Sequence, residues 1–262
     1  NMARGFSAAQ SRCTTATCAN CSWPTPRSFI NRSAGIVNMV GGPVTPKGAS
    51  NCAASPPRPP QGAVPTRDRP LSAWVRGVNS HLPDAVAVRW AQPVAEGFHA
   101  RFSARGRRYR YLLLNRPQRP GLWRGRVGWF HLPLDLQVMR EAARQIVGEH
   151  DFSAFRAAGC QAKTPVKTLW RADLRQSGSL LVFDFEASAF LHHMVRNLVG
   201  TLVYIGKGAQ APGWIGELLR SGDRGQAAPT FGPEGLYFRG PVYEPHWGLP
   251  DPADDLLDGV FA

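Results

Sequence analysis

An α+β fold is predicted for this chain, and three observations predict it. The composition changes sharply near residue 65; beyond that point short alternating apolar runs stand beside one long helix with two apolar rows; and 43% of the 262 residues are hydrophobic, enough to bury a sizeable core. Before the change, residues 1–66 carry six cations (Arg4, Arg12, Arg27, Arg32, Lys47, Arg58) and no anion, and all 18 acidic residues lie from Asp68 onward. Pro-rich and Ser-rich stretches such as residues 54–60 cannot hold a helix and have little reason to form a central strand. Residues 1–66 are therefore expected to be a disordered or aberrant, out-of-frame leader, and residues 67–262 the folded domain. A basic, acid-free, Ser-rich leader also fits an organellar transit peptide.

Within the folded part, apolar periodicity over residues 71–78, ending at His81-Leu82-Pro83, predicts a short helix and a turn. Residues 85–90 and 107–114 read as strands, the second placing Tyr109, Tyr111 and Leu113 on one face and Arg108 and Arg110 on the other. Asp135 is suited to cap a helix in which Leu136, Met139, Ala142, Ala143, Ile146 and Val147 recur at helical spacing up to Gly148. Residues 180–186 read as another strand. The strongest helix is 190–205, where Phe190, Met194, Leu198 and Leu202 form one row and Leu191, Val195, Val199 and Val203 the next, closed by Gly206 and Gly208. Gly200 inside it is expected to admit another backbone at close range, because glycine in a helix interior costs about 1 kcal/mol relative to alanine. A short helix over 214–220 and a final strand near 236–238 complete the pattern.

The formal charge of +13 and a pI near 10.4 suit a polyanionic partner, although an Arg-rich composition from GC-rich coding gives the same numbers. No apolar run approaches the roughly 20 residues of a membrane span, and no secretory signal is evident, so the protein is expected to be cytoplasmic with no membrane association. Walker, dinucleotide and GxSxG motifs are absent. Cys13, Cys18, Cys21 and Cys52 imitate a ferredoxin-type spacing, but their Thr/Ala/Ser/Pro surroundings supply no supporting element, and no metal is expected.

Arg196 is the residue most suggestive of chemistry: a guanidinium beside two apolar rows needs an anion or an RNA phosphate, or else snorkels to water. Tyr109 and Tyr111 interleaved with Arg105, Arg107, Arg108 and Arg110 suit a platform that stacks an unpaired nucleotide and holds its phosphates; the same pattern also fits a two-faced strand with tyrosines in the core. His192 and His193, adjacent on a helix, point about 100° apart and are read as structural. His150-Asp151 fits an acid/base pair or a polar junction equally well.

Several co-linear stretches carry a resemblance. They are Trp74-Val75-Arg76-Gly77-Val78-Asn79; Phe98-His99-Ala100-Arg101-Phe102-Ser103-Ala104 running into Arg108-Tyr109-Arg110-Tyr111; His150-Asp151-Phe152-Ser153-Ala154-Phe155; Lys163-Thr164-Pro165-Val166-Lys167-Thr168; residues 190–200; and Ala228-Pro229 through Gly235-Leu236-Tyr237. In this order the chain resembles the tRNA pseudouridine synthase A family over about residues 67–250. The resemblance implies a pseudouridine synthase fold with a mixed or antiparallel central sheet flanked by helices, a homodimer that binds the anticodon arm of tRNA, and isomerisation of uridine to pseudouridine there without metal or organic cofactor. That chemistry needs a flipped-out uridine, an aspartate that attacks it covalently, a basic partner for the aspartate and an aromatic ring against the base. By motif position Tyr109 resembles the stacking tyrosine and Arg196 the arginine that pairs with the catalytic aspartate; Arg108, Arg110 and Leu236 are the further substrate-binding candidates.

The departure from the family lies in the nucleophile. Its Gly-Arg-Thr-Asp-like segment falls upstream of Trp74 at a position that lands near Asn51, in Lys47-Gly48-Ala49-Ser50-Asn51-Cys52-Ala53, where an amide replaces the carboxylate. The nucleophilic Asp is not found. A catalytically inactive RNA-binding remnant is therefore the alternative expectation.

Overall fold

The computed structural model describes the backbone of residues 35–41 and, in full, residues 69–250. The remainder of the leader, its four cysteines and the neighbourhood of Asn51 lie outside the described residues, and so do the expectations attached to them. Gly35–Gly41 forms a strand, β1, antiparallel to β2 (Val86–Pro93), with Gly35 opposite Pro93 and Gly41 opposite Val86. The segment Gly35-Ile36-Val37-Asn38-Met39-Val40-Gly41 is a short apolar, β-branched run bounded by glycines, which suffices for a strand when a partner edge is available.

Between them in sequence runs α1 (Leu71–Asn79). Its last residue ties helix to strand: the Asn79 amide donates to the Val88 carbonyl at 2.8 Å and its carbonyl oxygen accepts from the Val88 N–H at 2.7 Å, imitating a strand neighbour.

A six-stranded sheet follows, built from β3 (Ala104–Asn115), β4 (Gly128–Phe130), β5 (Gly148–Asp151), β6 (Val166–Ser177), β7 (Leu180–Ala187) and β8 (Leu236–Tyr243). β8 and β4 share one side of β3, β7 takes the other, and β6 and β5 follow outward. All pairs are antiparallel except the short β3–β4 contact, so the sheet is mixed, as expected. With α2 (Leu136–Arg144) and α3 (Met194–Gly206) inserted, the order β3-α2-β6-β7-α3-β8 and the spatial sequence β8-β3-β7-β6 form a ferredoxin-like unit. α4 (Trp214–Ser221) joins α2 and α3 over one face.

That face holds the main core. Tyr111, Leu113, Phe183 and Phe185 from the sheet meet Met139 and Ala143 of α2, both predicted rows of α3, and Ile215 and Leu218 of α4. The other face carries a smaller apolar cluster, Leu112, Leu114, Val127, Leu180 and Val182, beside a row of arginines and carboxylates. Among the described residues no helix is long and apolar enough to cross a membrane.

Three boundaries depart from expectation. α2 starts at its predicted cap, where the Asp135 carboxylate accepts from the N–H groups of Gln137 and Val138, but it ends at Arg144 because Gly148, with φ of 116°, turns the chain into β5; Val147 is consequently 43% exposed. α3 begins at Met194 rather than Phe190, since His193 takes the left-handed conformation (φ of 61°) and closes the helix start. β6 was not anticipated. A bulge at Trp170 puts Leu169, Ala172 and Leu174 on the core face, so the apolar spacing is three and then two and no strict alternation survives in sequence. Gly200 meets its expectation: a Cβ there would lie 2.5 Å from the Pro229 carbonyl oxygen.

Candidate active site

Alternation along β3 sorts its side chains. Tyr109 and Tyr111 face the helices; Arg108 and Arg110 face away. Tyr111 is fully buried and donates its hydroxyl proton to the Gly232 carbonyl at 2.9 Å, and burial, then the nearby Glu234 carboxylate, push its phenol far above the ordinary value. Tyr109 is half-buried, its ring edge-on to Phe190 at 5.0 Å and tilted against Phe238 at 5.2 Å. Burial raises its phenol as well, with Arg107 opposing, so near neutral pH Tyr109 presents an uncharged ring.

Arg196 lies in the first turn of α3 on the side of the sheet that Tyr109 faces. Its Nε donates to the Phe231 carbonyl at 2.7 Å, and the Phe231 N–H donates back to the Arg196 carbonyl at 3.3 Å. The guanidinium is half-buried. Desolvation lowers its pKa while Tyr111 and Glu234 work against that loss, and a guanidinium so placed stays protonated. The positive end of the α3 dipole works against this charge and adds to the attraction for an anion placed there. At the same helix start the rings of His192 and His193 stack at 3.9 Å, and burial, followed by His192 and Arg196, holds His193 below the ordinary histidine value.

The loop facing Arg196 is fixed by a network that sequence reasoning missed. Buried Asn197 donates to the Phe155 carbonyl at 2.7 Å; its own oxygen accepts from the Thr230 hydroxyl at 2.7 Å and from Arg224 at 3.2 Å, and Arg224 also grips the Ala228 carbonyl at 2.8 Å. These bonds clamp residues 224–231 onto α3 and thereby place the Phe231 carbonyl under Arg196. The only available signal was an Asn following Arg196 inside an apolar helix, which is weak. Glu234 was missed too; among the described carboxylates it is the one whose field acts on Arg196. Beyond Phe231, Gly232 and Glu234 opens a cavity of about 790 Å³, also lined by Arg119, Arg124 and Trp129.

The other expected site residues divide. Leu236 begins β8 opposite Tyr111 and packs against the core beside this loop. Arg108 and Arg110 lie on the face opposite the tyrosines, as the alternation predicts. Arg108 Nε bonds Glu186 at 2.9 Å, and Arg110, only 3% exposed, clasps Asp184 with Nε at 2.7 Å and Nη2 at 2.9 Å, all on the face turned away from Tyr109. Two-residue periodicity separates the Tyr109 ring from the Arg108 and Arg110 guanidiniums by the thickness of the sheet. His150 and Asp151 serve local structure: the imidazole meets the Val147 carbonyl at 3.1 Å, and the carboxylate accepts the Ser153 N–H at 2.8 Å.

Tyr109 and Arg196 thus lie on one side of the sheet, the neutral ring against Phe190 and Phe238 and the guanidinium anchored on the Phe231 carbonyl. Residues 142–244 match the family described as tRNA pseudouridine synthase. The chain is 79% identical over 194 residues to the tRNA pseudouridine synthase A of Dechloromonas aromatica (strain RCB), covering 74% of each chain. It is 60% identical over 182 residues to that of Aromatoleum aromaticum (70% of this chain, 69% of the relative) and 56% identical over 192 residues to that of Methylibium petroleiphilum (72% and 74%). The chain belongs to the tRNA pseudouridine synthase A family.

Proposed function

We propose that this tRNA pseudouridine synthase acts on the anticodon stem-loop as a cytoplasmic homodimer, with the target uridine lifted from its stack onto the Tyr109 ring, Leu236 against the base edge, and Arg196 holding the attacking carboxylate ionised. Isomerisation breaks the bond from the sugar to N1 and forms one to C5, so N1 gains a proton and C5 loses one. The protein's task is to unstack the base, shield it and keep a carboxylate charged. One observation carries the assignment: Arg196 is half-buried and pinned to the Phe231 carbonyl on the Tyr109 side of the sheet, where a charge without function would be costly.

A second reading is favoured by a different observation. With no acidic residue among the first 67, the expected nucleophile is not supplied there, and the polypeptide would bind tRNA without turning it over. Tritium release from tRNA labelled at uridine C5 separates the two. Release above that of an Arg196→Ala control supports the synthase and refutes the binding-only chain; no release alongside intact tRNA binding establishes the reverse.

A further inference from the structure

A second cationic site lies at the sheet edge, where the face that carries Arg110 meets the end of α2. A cavity of about 530 Å³ opens at the free edge of β6, walled by Arg110, Arg140, Arg144, Arg171, Arg175 and Arg239 against only Asp173 and Asp184. Its floor is built. Arg110 grips Asp184 bidentately, and Arg175 and Arg239 approach the same carboxylate at 3.7 and 3.8 Å, so three guanidiniums share one anion. Arg140 reaches in from α2, its Nε on the Leu174 carbonyl at 2.9 Å, and the exposed Arg144 adds a charge from the last turn of the same helix. The lining thus carries six guanidiniums against two carboxylates, a balance that attracts an anion.

We propose that this cavity binds backbone phosphates of the tRNA substrate at a distance from the target uridine. The inference rests on the tRNA reading of the Tyr109 site and deepens it. Arginine forks match phosphate oxygens in pairs, and a cluster of them reads the backbone without regard to sequence. Tyr109 points to the opposite face of the sheet, so a phosphate held here belongs to a different stretch of the RNA from the nucleotide stacked on that ring. Whole tRNA should therefore use the cavity, and a minimal anticodon stem-loop should not.

The test compares the full chain with the triple variant Arg144→Gln, Arg171→Gln, Arg175→Gln, in which Arg171 and Arg175 are 59% and 52% exposed and all three lie outside the Tyr109 corner. Dissociation constants are measured for whole tRNA and for the isolated stem-loop across a salt series, with melting temperature as the folding control. The expected result is at least a tenfold loss for whole tRNA, a salt slope shallower by about one unit per lost phosphate contact, and an unchanged stem-loop affinity. Unchanged affinity and slope for whole tRNA overturn the proposal, and so does an equal loss for both RNAs. If pyrophosphate raises the melting temperature of the parent but not of the variant while tRNA binding stays the same, the site takes a free phosphate compound and the RNA assignment falls. Tyr109→Ala, measured in parallel, tests the uridine reading separately: no effect on stem-loop binding sinks that reading whatever the arginines do, and a parent that binds neither RNA overturns both.

Discussion

Two arginines of this chain show how environment assigns a role to the same side chain. Arg110 is buried against Asp184 in a bidentate pair, a contact whose loss is costly because one partner is left charged and dry. Asp184→Ala should therefore destabilise the fold by about 3–5 kcal/mol, with Arg175 and Arg239 adding repulsion once their shared carboxylate is gone; urea unfolding that shows under 1 kcal/mol would contradict it. Arg196 instead spends its Nε donor on the Phe231 carbonyl in the first turn of α3. Tyr109→Ala should weaken RNA binding by roughly 1–3 kcal/mol, the usual worth of one base–aromatic stack, and leave the melting temperature nearly unaltered, since that ring is only half-buried. Equal affinities for parent and variant in a titration would rule out the stack. Arg196 and Tyr109 stand out in sequence by type and motif, and the structure puts them on one side of the sheet. The division of labour on β3 was legible only in part: alternation told that Arg110 faces away from Tyr109, but nothing local told that Asp184, on another strand, waits opposite it.

At the scale of elements, helices with regular apolar rows and terminal signals were readable, and elements whose period is interrupted were not. The two rows of α3 are buried as the spacing foretold, and Asp135 caps α2 as its position foretold, because both depend on neighbours within a few residues. The bulge at Trp170 that hid β6, and the left-handed His193 that delays α3, answer to contacts from distant strands and loops. Gly200 joins the two kinds of information. On intrinsic propensity Gly200→Ala should gain about 1 kcal/mol. The added Cβ would instead press on the Pro229 carbonyl, a backbone atom held by the Asn197, Thr230 and Arg224 network, so a net loss of about 1–3 kcal/mol is expected. Gly216→Ala in α4 is the control, because there the Cβ meets the flexible side-chain ends of Gln145 and Arg220 and no backbone. Chemical denaturation of both variants decides: a Gly200 variant as stable as the Gly216 one would mean that the segment after Pro229 yields freely, and with it the anchor of Arg196.

For the whole molecule the decisive fact is the distribution of charge. Residues 69–250 hold the anchored Arg196 guanidinium and the Tyr109 ring proposed to stack the uridine, while the first 67 residues contain no Asp or Glu. A pairing energy between Arg196 and a nucleophile appears only when both are present, so the two ends of the chain should be strongly non-additive in activity. This can be tested by replacing residues 1–66 with a front segment that bears the family's Gly-Arg-Thr-Asp-like string. The chimera should release tritium from C5-labelled tRNA, and changing the introduced aspartate to asparagine should return it to background with tRNA affinity retained. Arg196→Ala in the chimera should reduce release by orders of magnitude, whereas in a parent that only binds tRNA the same change should alter binding alone. If a chimera that binds tRNA as tightly as the parent releases no tritium, then Arg196 is not oriented toward the incoming carboxylate, and the corner beside Tyr109 serves binding alone.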